Sequence, residues 1–476
     1  MASALTLETM SPGLLKVVER AQREPEGRFH ALAHLIDVPA LERAYRRQRS
    51  AAAVGMDGVT KEQYGQALEV NLQDLHARLT AQRYRHQPIR RVHIPKAEGK
   101  TRPIGISAFE DKVVQDAVRE VLEAIYEQDF LGCSYGFRPG RSAHGAVRTL
   151  EQIVHQGEVR WIFEADIVSF FDSLDRTELK KMLEVRVADG SLLRLIGKCL
   201  HVGVLDGEAV LEPESGTVQG SVLSPFLGNV DVHSGLDRGF ATEGKPRLRG
   251  KATLIRYCDD FIIGLEREDD AWRVRAVLEK RLGRFGLTLH PDKTRLVPFW
   301  RPSTTQQSGQ GPASFDFLGF TFYWRRTRTG HWRMGCKTRR ASLRRAKQAI
   351  DDWCRRHRHQ PVEAQHAALG RRLRGHCNSF GVNGNFPSLL RLVEATKRAW
   401  YKWLCRRSQR KRLTWERLTD LLRQMPLPRP RITVRIWGVS PRVTSTEEPD
   451  GGNLLVRIWR GAGVGNLPAY STGWLP

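Results

Sequence analysis

The sequence ATLIRYCDDFIIGL, residues 252–265, is the stretch that decides the fold. Two apolar runs flank the turn Cys258-Asp259-Asp260, which is the pattern of a β-hairpin with buried strands. Adjacent aspartates at the tip of a hairpin repel one another, and no short-range partner accompanies them. A divalent cation would relieve this repulsion, because Mg²⁺ prefers carboxylate oxygens. Taken alone, however, an Asp-Asp pair is as typical of an ordinary turn as of a metal site.

A third carboxylate precedes this hairpin in the chain. Residues 159–167 form an apolar run that predicts a buried strand, and Asp166 lies at its end. Asp166, Asp259 and Asp260 are therefore the candidate catalytic and metal-binding residues. Two Mg²⁺ ions held ~3.5–4 Å apart by such carboxylates can activate an attacking 3′ hydroxyl and stabilise a leaving pyrophosphate.

The charge of the chain points to a polyanionic partner. Among its 476 residues Lys and Arg outnumber Asp and Glu by 77 to 52, which gives a net charge of +25. Residues 325–425 alone contain 27 basic and 6 acidic residues, a net +21, interleaved with Trp and Tyr. A single charged run is more often a solvated helix face, but a basic and aromatic block of this length is typical of a nucleic-acid groove.

Other classes of protein fit the sequence less well. It contains no apolar run of 18 residues, so we expect no membrane span. A P-loop motif is absent, and the seven scattered cysteines have no spacing typical of a zinc site. The odd cysteine count and the lack of a signal peptide predict a cytosolic protein, associated with the nucleoid when it acts on DNA.

The local patterns predict a mixed α and β chain. Residues 1–85 are mostly helical, with Thr60 capping one helix, and residues 86–108 form a β-hairpin. A helix covers residues 110–128, and Phe315–Phe322 reads as one strand. In the tail, Val-Arg-Ile-Trp occurs twice, which predicts a small hairpin of unknown role.

The order of the motifs resembles the reverse transcriptases and maturases encoded by group II introns. The resemblance covers about residues 55–425, and its motifs are specific together though not singly. The matching segments, in chain order, are 55–60, Ile94-Pro95-Lys96, residues 101–106, Tyr135-Gly136-Phe137-Arg138-Pro139-Gly140-Arg141-Ser142, residues 166–172, residues 216–225, Arg256-Tyr257-Cys258-Asp259-Asp260-Phe261, Pro291-Asp292-Lys293-Thr294 and Phe317-Leu318-Gly319.

The resemblance implies a metal-dependent catalytic centre. Asp166, Asp259 and Asp260 would hold two Mg²⁺ ions, for which Mn²⁺ could substitute, and the carbonyl of Ile167 would complete one site. Lys293 would protonate the pyrophosphate as a general acid. A surface lysine is the plainer interpretation of Lys293.

The resemblance also implies contacts to substrates. Lys96 and Arg102 would grip the triphosphate of the incoming dNTP, although such a pair more often marks a solvated hairpin. Phe171 would exclude a ribose 2′ hydroxyl, where its plainer role is core packing. Gln219 would contact the incoming nucleotide or the template. The two arginines of the glycine-rich loop, Arg138 and Arg141, would touch the template backbone.

The expected fold is an α+β right-hand polymerase. Its expected parts are a helical extension (1–85), fingers (86–158), a palm (159–324), a basic helical thumb that doubles as the maturase RNA-binding domain (325–425) and a tail (426–476). The expected partners are an RNA template or intron RNA, a DNA or RNA primer and dNTPs, and the sequence says nothing of the oligomeric state.

Three positions depart from the family pattern. Cys258 replaces the usual Ala, Val218 the usual Pro, and Ser221 the usual Gly. They leave open a domesticated enzyme of the same type, acting in DNA repair or phage defence without an intron. A maturase that only binds RNA is a further alternative, against which the intact set of three aspartates argues. Because no His-Asn-His endonuclease with paired cysteines is recognisable, cleavage of a second DNA strand is not expected.

Overall fold

The structure, a computed structural model, describes residues 10–95, 101–206, 209–211, 216–217, 220–302, 313–407 and 413–436. The chain forms two compact units. Unit 1 comprises residues 1–142 and 165–296, and unit 2 comprises residues 143–164 and 297–476.

Helices make up most of both units. In chain order they are α1 (Pro12–Arg23), α2 (Val38–Arg47), α3 (Lys61–Gly65), α4 (Leu68–Thr80), α5 (Phe109–Asp129), α6 (Ala143–His155), α7 (Phe170–Ser173), α8 (Arg176–Glu184), α9 (Gly190–Leu200), α10 (Ser224–Val232), α11 (Glu268–Gly283), α12 (Arg340–Arg356), α13 (Val362–Phe380), α14 (Phe386–Leu404) and α15 (Trp415–Gln424). Short 3₁₀ turns lie at Ala33–Leu35 and Lys245–Arg247, and α10 continues into π-helical turns at His233–Arg238 and Phe240–Gly244.

The strands form three sheets. They are β1 (Ile89–Pro95), β2 (Thr101–Ile106), β3 (Trp161–Asp166), β4 (Val204–Asp206), β5 (Ala209–Leu211), β6 (Ala252–Tyr257), β7 (Asp260–Leu265), β8 (Arg295–Pro298), β9 (Phe315–Phe317), β10 (Phe320–Arg326) and β11 (Trp332–Thr338). The sheet orders are β2-β1-β4-β5, β6-β7-β3-β8 and β11-β10-β9. The chain is therefore mixed α and β, and the predicted hairpins at 86–108 and 252–265 are confirmed.

Helix α5 is the centre of the unit 1 core. Its apolar side chains pack with those of α1, α2, α4 and α8–α10 in one continuous cluster. The helix predicted over 110–128 is confirmed. The predicted cap is confirmed as well: the Thr60 side chain accepts a bond from the N–H of Gln63, whose own side chain accepts from the N–H of Thr60, a reciprocal capping box.

One side of α5 carries a largely buried ion-pair network instead of apolar side chains. Arg47 Nε lies 2.6 Å from Asp116 Oδ2, and Arg43 and Arg47 both bond Glu120. Arg119 also pairs with Asp116. Because Asp116 is almost fully buried, these arginines keep its carboxylate charged. Much of the basic charge of α2 and α5 is thus neutralised within unit 1.

Unit 2 combines the β9–β11 sheet with the helices α12–α15. The helices share a core around Trp400, which is fully buried and donates its indole N–H to Gln365 Oε1 at 3.0 Å. Among the described residues, no helix is both long and apolar enough to cross a membrane.

One predicted strand is wrong. Phe315–Phe322 was expected to be continuous, but β9 and β10 form a hairpin whose turn is Leu318-Gly319, with Phe317 opposite Phe320. The φ angles of Leu318 and Gly319 are 49° and 76°, the two positive values that a tight type I′ turn requires. Leucine is rare at a turn position with positive φ. The apolar residues of 315–322 therefore predicted one continuous strand instead of a turn. The second Val-Arg-Ile-Trp of the tail lies outside the described residues.

A buried polar cluster anchors the chain before β1 to α5. The Tyr84 hydroxyl donates to Asp111 Oδ1 at 2.5 Å, the Gln87 N–H donates to Oδ2 at 3.1 Å, and His86 Nδ1 lies 3.3 Å from Oδ2. Burial raises the pKa of Asp111 to about 7 and lowers the pKa of His86 to about 4.

These shifts predict a pH dependence of stability. The folded chain binds a proton on Asp111 more tightly than the unfolded chain, so this group lowers the free energy of unfolding as pH rises from about 4 to about 7. His86 has the opposite effect. Because its pKa is lower in the folded chain, it raises the free energy of unfolding as pH rises from about 4 to its ordinary pKa. We expect the free energy of unfolding of Asp111→Asn to rise relative to the native chain by ~1–3 kcal/mol over this range, measured by urea unfolding. Parallel pH profiles for the two proteins would contradict the shift.

Candidate active site around the acidic hairpin

The acidic hairpin, β6 and β7 with their turn, belongs to unit 1. Tyr257 pairs with Asp260, so the turn consists of Cys258 and Asp259 alone. Cys258 has φ 59°, a left-handed conformation that costs a non-glycine residue about 1 kcal/mol or more. Asp259 is only 5% exposed, whereas Asp260 is half-buried. The hairpin thus directs one carboxylate inward and keeps its neighbour nearer to solvent.

Asp166 is held at the end of β3 by a second backbone pairing. Its carbonyl accepts a bond from the N–H of His290 at 2.8 Å, and the N–H of Val168 donates to the carbonyl of Thr288 at 2.9 Å. The same segment then turns back so that Lys293 Nζ lies 2.6 Å from Asp166 Oδ2. The structure therefore brings Asp166 and Lys293 together in a direct ion pair, which the sequence did not predict.

The carboxylates influence one another electrostatically. Burial and, to a lesser extent, the negative charge of Asp166 raise the pKa of Asp259 to about 6. Arg102, on β2, acts against this rise and also interacts with Asp172. Burial lowers the pKa of Arg102, and these carboxylates oppose that effect. Two buried carboxylates and two cations, Arg102 and Lys293, therefore share one neighbourhood.

These residues fit a divalent cation. Asp166 Oδ1 is a buried oxygen that finds no hydrogen-bond partner within the part of the chain that the structure describes. A buried carboxylate oxygen without a donor, beside a second carboxylate, calls for a cation. The described residues contain no ready cluster of three or more His, Cys, Asp or Glu side chains at metal-binding distance. The ammonium group of Lys293 is the cation on Asp166 in this structure.

The residues expected to contact the nucleotide are only partly described. Lys96 and Gln219 lie outside the described residues. Phe171 is buried on α7, its ring 5.1 Å from that of Phe170, and its carbonyl accepts a bond from the N–H of Thr217 at 2.7 Å. Ile167 is buried and bridges to Leu289 through its backbone.

The segment after Gln219 is fixed against α5 and β2. A Cβ on Gly220 would lie 2.2 Å from the carbonyl oxygen of Gly105, so only glycine allows this approach. Ser221, one of the departures from the family pattern, donates its hydroxyl to Gln115 Oε1 at 3.0 Å, and the N–H of Val222 donates to the same oxygen. The serine is thus an anchor for this segment.

Arg138 does not have the environment expected of a template contact. It is 5% exposed, and its guanidinium donates to both oxygens of Glu127 and to the carbonyls of Phe130, Leu131 and Ser134. All of these partners lie within 11 residues of Arg138 and close the loop on itself. We therefore correct the expectation for Arg138 to a structural role.

Arg141 is more open than Arg138. It is half-buried, donates to the carbonyl of Gly132 at 3.2 Å and lies over the ring of Tyr135, 5.2 Å from its centroid. Its role at the template stays a prediction.

Sequence reasoning missed Arg256, which lies on β6 two residues before the turn. This arginine is fully buried and hydrogen-bonded to Asp237, Asn229, Ser134 and the carbonyl of Cys258. The sequence did contain a signal for it: Arg256 is a charged residue within an apolar strand, and such a residue needs a buried partner. The partners, however, come from distant parts of the chain.

Comparison with known proteins found one family model and several relatives. A family model described as "Reverse transcriptase (RNA-dependent DNA polymerase)" matches residues 94–322. The chain is 33% identical to protein YkfC of Escherichia coli (strain K12) over 356 residues, which are 67% of this chain and 90% of YkfC.

Two further relatives have names that refer to introns. The group II intron-encoded protein LtrA of Lactococcus lactis subsp. cremoris is 42% identical over 151 residues, 32% of this chain and 25% of LtrA. Nuclear intron maturase 1, mitochondrial, of Arabidopsis thaliana is 32% identical over 107 residues, 22% of this chain and 15% of that protein. The chain thus spans a quarter or less of these two relatives and nine-tenths of YkfC.

The turn of the acidic hairpin leaves no room for a side chain at Gly136. A Cβ there would lie 2.5 Å from the backbone nitrogen of Cys258 and 3.1 Å from the carbonyl carbon of Tyr257. We expect Gly136→Ala to lower the free energy of unfolding by ~1–3 kcal/mol, since backbone atoms must move. Gly132→Ala in the same loop, where a Cβ meets nothing within 4 Å, is the control and should change it by less than ~0.5 kcal/mol. Equal urea unfolding of both variants would mean that the loop and the turn are not packed in this way.

Proposed function

The chain belongs to the reverse transcriptase family, in its group II intron-like branch, and from this membership we propose that it copies an RNA template into DNA by two-metal nucleotidyl transfer. The observation that supports the proposal best is the buried pair Asp166 and Asp259, with Arg102 and Lys293 around it. Such a group of charges suits the transfer of a nucleotide, whose phosphates are negative and whose metal ions are positive.

Family membership implies a right-hand polymerase, and we propose how its parts map onto the chain. Residues 1–85 are the N-terminal extension, and the β1–β2 hairpin lies in the fingers, residues 86–158. The sheet β6-β7-β3-β8 belongs to the palm, residues 159–324. The helices α12–α15 form the thumb within residues 325–425.

Two divalent ions, Mg²⁺ in the first place, are the proposed cofactor. Asp166, Asp259, Asp260 and the carbonyl of Ile167 would hold them, and the unpartnered Oδ1 of Asp166 supports this assignment. When bound, such ions activate the 3′ hydroxyl of the primer and stabilise the departing pyrophosphate. Reverse transcriptases as a family depend on divalent metals of this kind.

Lys293 carries the proposed proton transfer. Its Nζ lies 2.6 Å from Oδ2 of Asp166 and carries the proton that would be transferred. An ammonium within reach of the leaving pyrophosphate can give that proton to a phosphate oxygen, as a general acid does. The ion pair with Asp166 also keeps the lysine in the site before substrate arrives.

The remaining polar residues would bind and orient the nucleotide. Arg102 brings a guanidinium to the carboxylates from β2, and we propose that it and Lys96 bind the triphosphate. The buried ring of Phe171 would exclude a 2′ hydroxyl by its bulk, and Gln219 would contact the nucleotide. Arg141 remains the proposed contact to the template backbone.

The basic helices of unit 2 are the proposed binding surface for intron RNA and for a maturase function. Their apolar faces pack in one core, and many of their cations are exposed. The exposed cations of α12–α14 are Arg340, Arg344, Arg355, Arg356, Arg371, Arg374, Arg391, Arg398 and Lys402. Assistance to splicing would then be a binding function that stabilises folded RNA, supported by the similarity to LtrA and to the Arabidopsis intron maturase.

Asp259→Asn tests the catalytic assignment. The variant keeps the shape of the side chain and removes the charge that a metal ion needs, so we expect the rate of primer extension on an RNA template with Mg²⁺ to fall by about 100-fold or more, ~3 kcal/mol in the barrier. Glu268→Gln, at an exposed glutamate of α11, is the control and should extend normally. Absence of cDNA from the native chain would overturn the proposed activity, and equal synthesis by the native chain and Asp259→Asn would overturn the site.

The salt dependence of RNA binding tests the role of the basic helices. Each phosphate contact adds about −0.7 to the slope of log affinity against log salt for a single strand, so we expect a slope steeper than about −3. Replacing the exposed Arg371 and Arg374 on α13 by Gln should reduce the steepness by ~1. The matched control is Lys180→Gln together with Lys181→Gln, at two exposed lysines of α8 in unit 1. If the slope of log affinity against log salt is flat in the native chain, the +21 segment is a solubilising surface and does not bind RNA.

A further inference from the structure

The guanidinium of Arg256 uses all of its five N–H donors inside unit 1. Nε and Nη2 donate to the two carboxylate oxygens of Asp237 at 2.8 and 2.6 Å. Nη1 donates to Asn229 Oδ1 and to the carbonyl of Cys258, both at 3.0 Å, and Nη2 also donates to Ser134 Oγ at 2.7 Å. Complete use of a planar fork fixes the side chain in one orientation.

The backbone around this side chain is fixed as well. The N–H of Arg256 donates to the carbonyl of Cys133 at 2.8 Å, and the N–H of Tyr135 donates to the carbonyl of Arg256 at 2.8 Å. Asn229 continues the network, since its Nδ2 donates to the carbonyl of Gly136 at 2.6 Å. The glycine-rich loop and helix α10 are therefore joined to β6 through one residue.

Asp237 reaches Arg256 from the π-helical turn His233–Arg238. Although burial alone would raise the pKa of Asp237, the positive charge of Arg256 holds it below its ordinary value. His233 Nδ1 lies 3.8 Å from the same carboxylate. A π-turn interrupts the regular helix, and such turns recur at functional sites. Here the turn presents the carboxylate that pairs with the arginine.

The bond to Cys258 gives this network a direct link to the catalytic turn. The carbonyl of Cys258 belongs to the peptide group that joins Cys258 to Asp259, so a donor fixed on that oxygen fixes the plane of the peptide. Cys258 also has φ 59°, a conformation that a non-glycine residue keeps only when its surroundings impose it. The turn therefore depends on partners outside the hairpin.

We propose that Arg256 is a positioning residue for nucleotide transfer, which holds the peptide between Cys258 and Asp259 so that the Asp259 carboxylate faces Asp166. This inference rests on the proposed polymerase function. Asp237, Asn229 and Ser134 act by fixing the guanidinium. Lysine cannot replace this arginine, since one ammonium has three donors and no planar fork.

The test compares Arg256→Lys with Arg186→Lys. Arg186 is a suitable control, because it is also buried in unit 1, pairs with Asp129 at 2.9 Å and bonds the carbonyls of Glu24 and Gly27, none of which belongs to the site. Both changes will lower thermal stability. Per folded molecule, we expect Arg256→Lys to lower kcat of primer extension at least ten-fold with little change in the KM for template-primer, and Arg186→Lys to keep kcat within two-fold.

A second readout does not depend on activity. Cys258 is almost fully buried, so its thiol should react slowly with a maleimide, and loss of the bond to its carbonyl should loosen the turn and speed labelling of that cysteine at least ten-fold. Mass spectrometry of the peptides separates Cys258 from the other six cysteines. If the native chain makes no cDNA, the polymerase function fails, while faster labelling in Arg256→Lys but not in Arg186→Lys still supports the positioning role.

Asp237→Asn serves where Arg256→Lys does not fold, since it keeps the volume of the side chain and weakens only one partner. We expect its kcat and its labelling rate to lie between those of the native chain and Arg256→Lys. The positioning role is overturned if Arg256→Lys, or Asp237→Asn in its place, keeps native kcat and native labelling of Cys258. It is also overturned if both readouts change equally in Arg186→Lys.

Discussion

Two carboxylates, Asp166 and Asp259, are buried so near each other that the charge of one raises the pKa of the other, and unit 1 is arranged around that unfavourable pair. Two negative charges in a medium of low dielectric repel each other strongly unless nearby cations compensate them. Lys293 and Arg102 supply such cations from different elements of the chain. Because these groups are far apart in sequence, they come together only in the folded unit, where the buried carboxylates and the Oδ1 of Asp166, which has no hydrogen-bond partner among the described residues, favour a divalent ion.

A second buried ion pair, Arg256 with Asp237, supports the turn that carries Asp259. Burying such a pair is expensive, and apolar residues of similar volume are often as stable or more so. An apolar side chain, however, could not donate to the carbonyl of Cys258 or bring together α10, the glycine-rich loop and β6. The pair therefore contributes orientation rather than stability, which is the contribution that a catalytic carboxylate requires.

Sequence patterns predicted the elements whose signals are local, and failed where partners are distant. The capping box at Thr60, the helix over 110–128 and the hairpin around Cys258 depend on near neighbours, and all were found. The β9–β10 turn was missed, since Leu318 takes a backbone conformation that its side chain does not favour. No pattern distinguished Arg138 from an arginine that meets solvent, because its burial depends on how the loop folds onto Glu127.

The net charge of a whole segment is a simpler signal than the role of one arginine, because the acids within a segment can neutralise only as many cations as their own number. The arginines of α2 and α5 that pair with acids of the same unit have their charge neutralised within unit 1. Residues 325–425 have 27 basic and 6 acidic residues, so most of the basic residues have no acidic counterpart within the segment, although Arg333 and Arg339 pair with Glu151 and Asp316 outside it. We propose that the excess charge binds phosphates.

The departures from the family pattern can be judged in the same physical terms. Ser221 replaces a usual glycine, yet its hydroxyl donates to Gln115 and fixes the segment that follows Gln219. Cys258 replaces a usual alanine at the turn. Arg256 holds this turn through the backbone carbonyl of residue 258, and cysteine and alanine both provide that carbonyl. Neither change removes a carboxylate or a cation from the site. Differences between this chain and its relatives are therefore better sought in the RNA that we propose for the basic helices than in the transfer step.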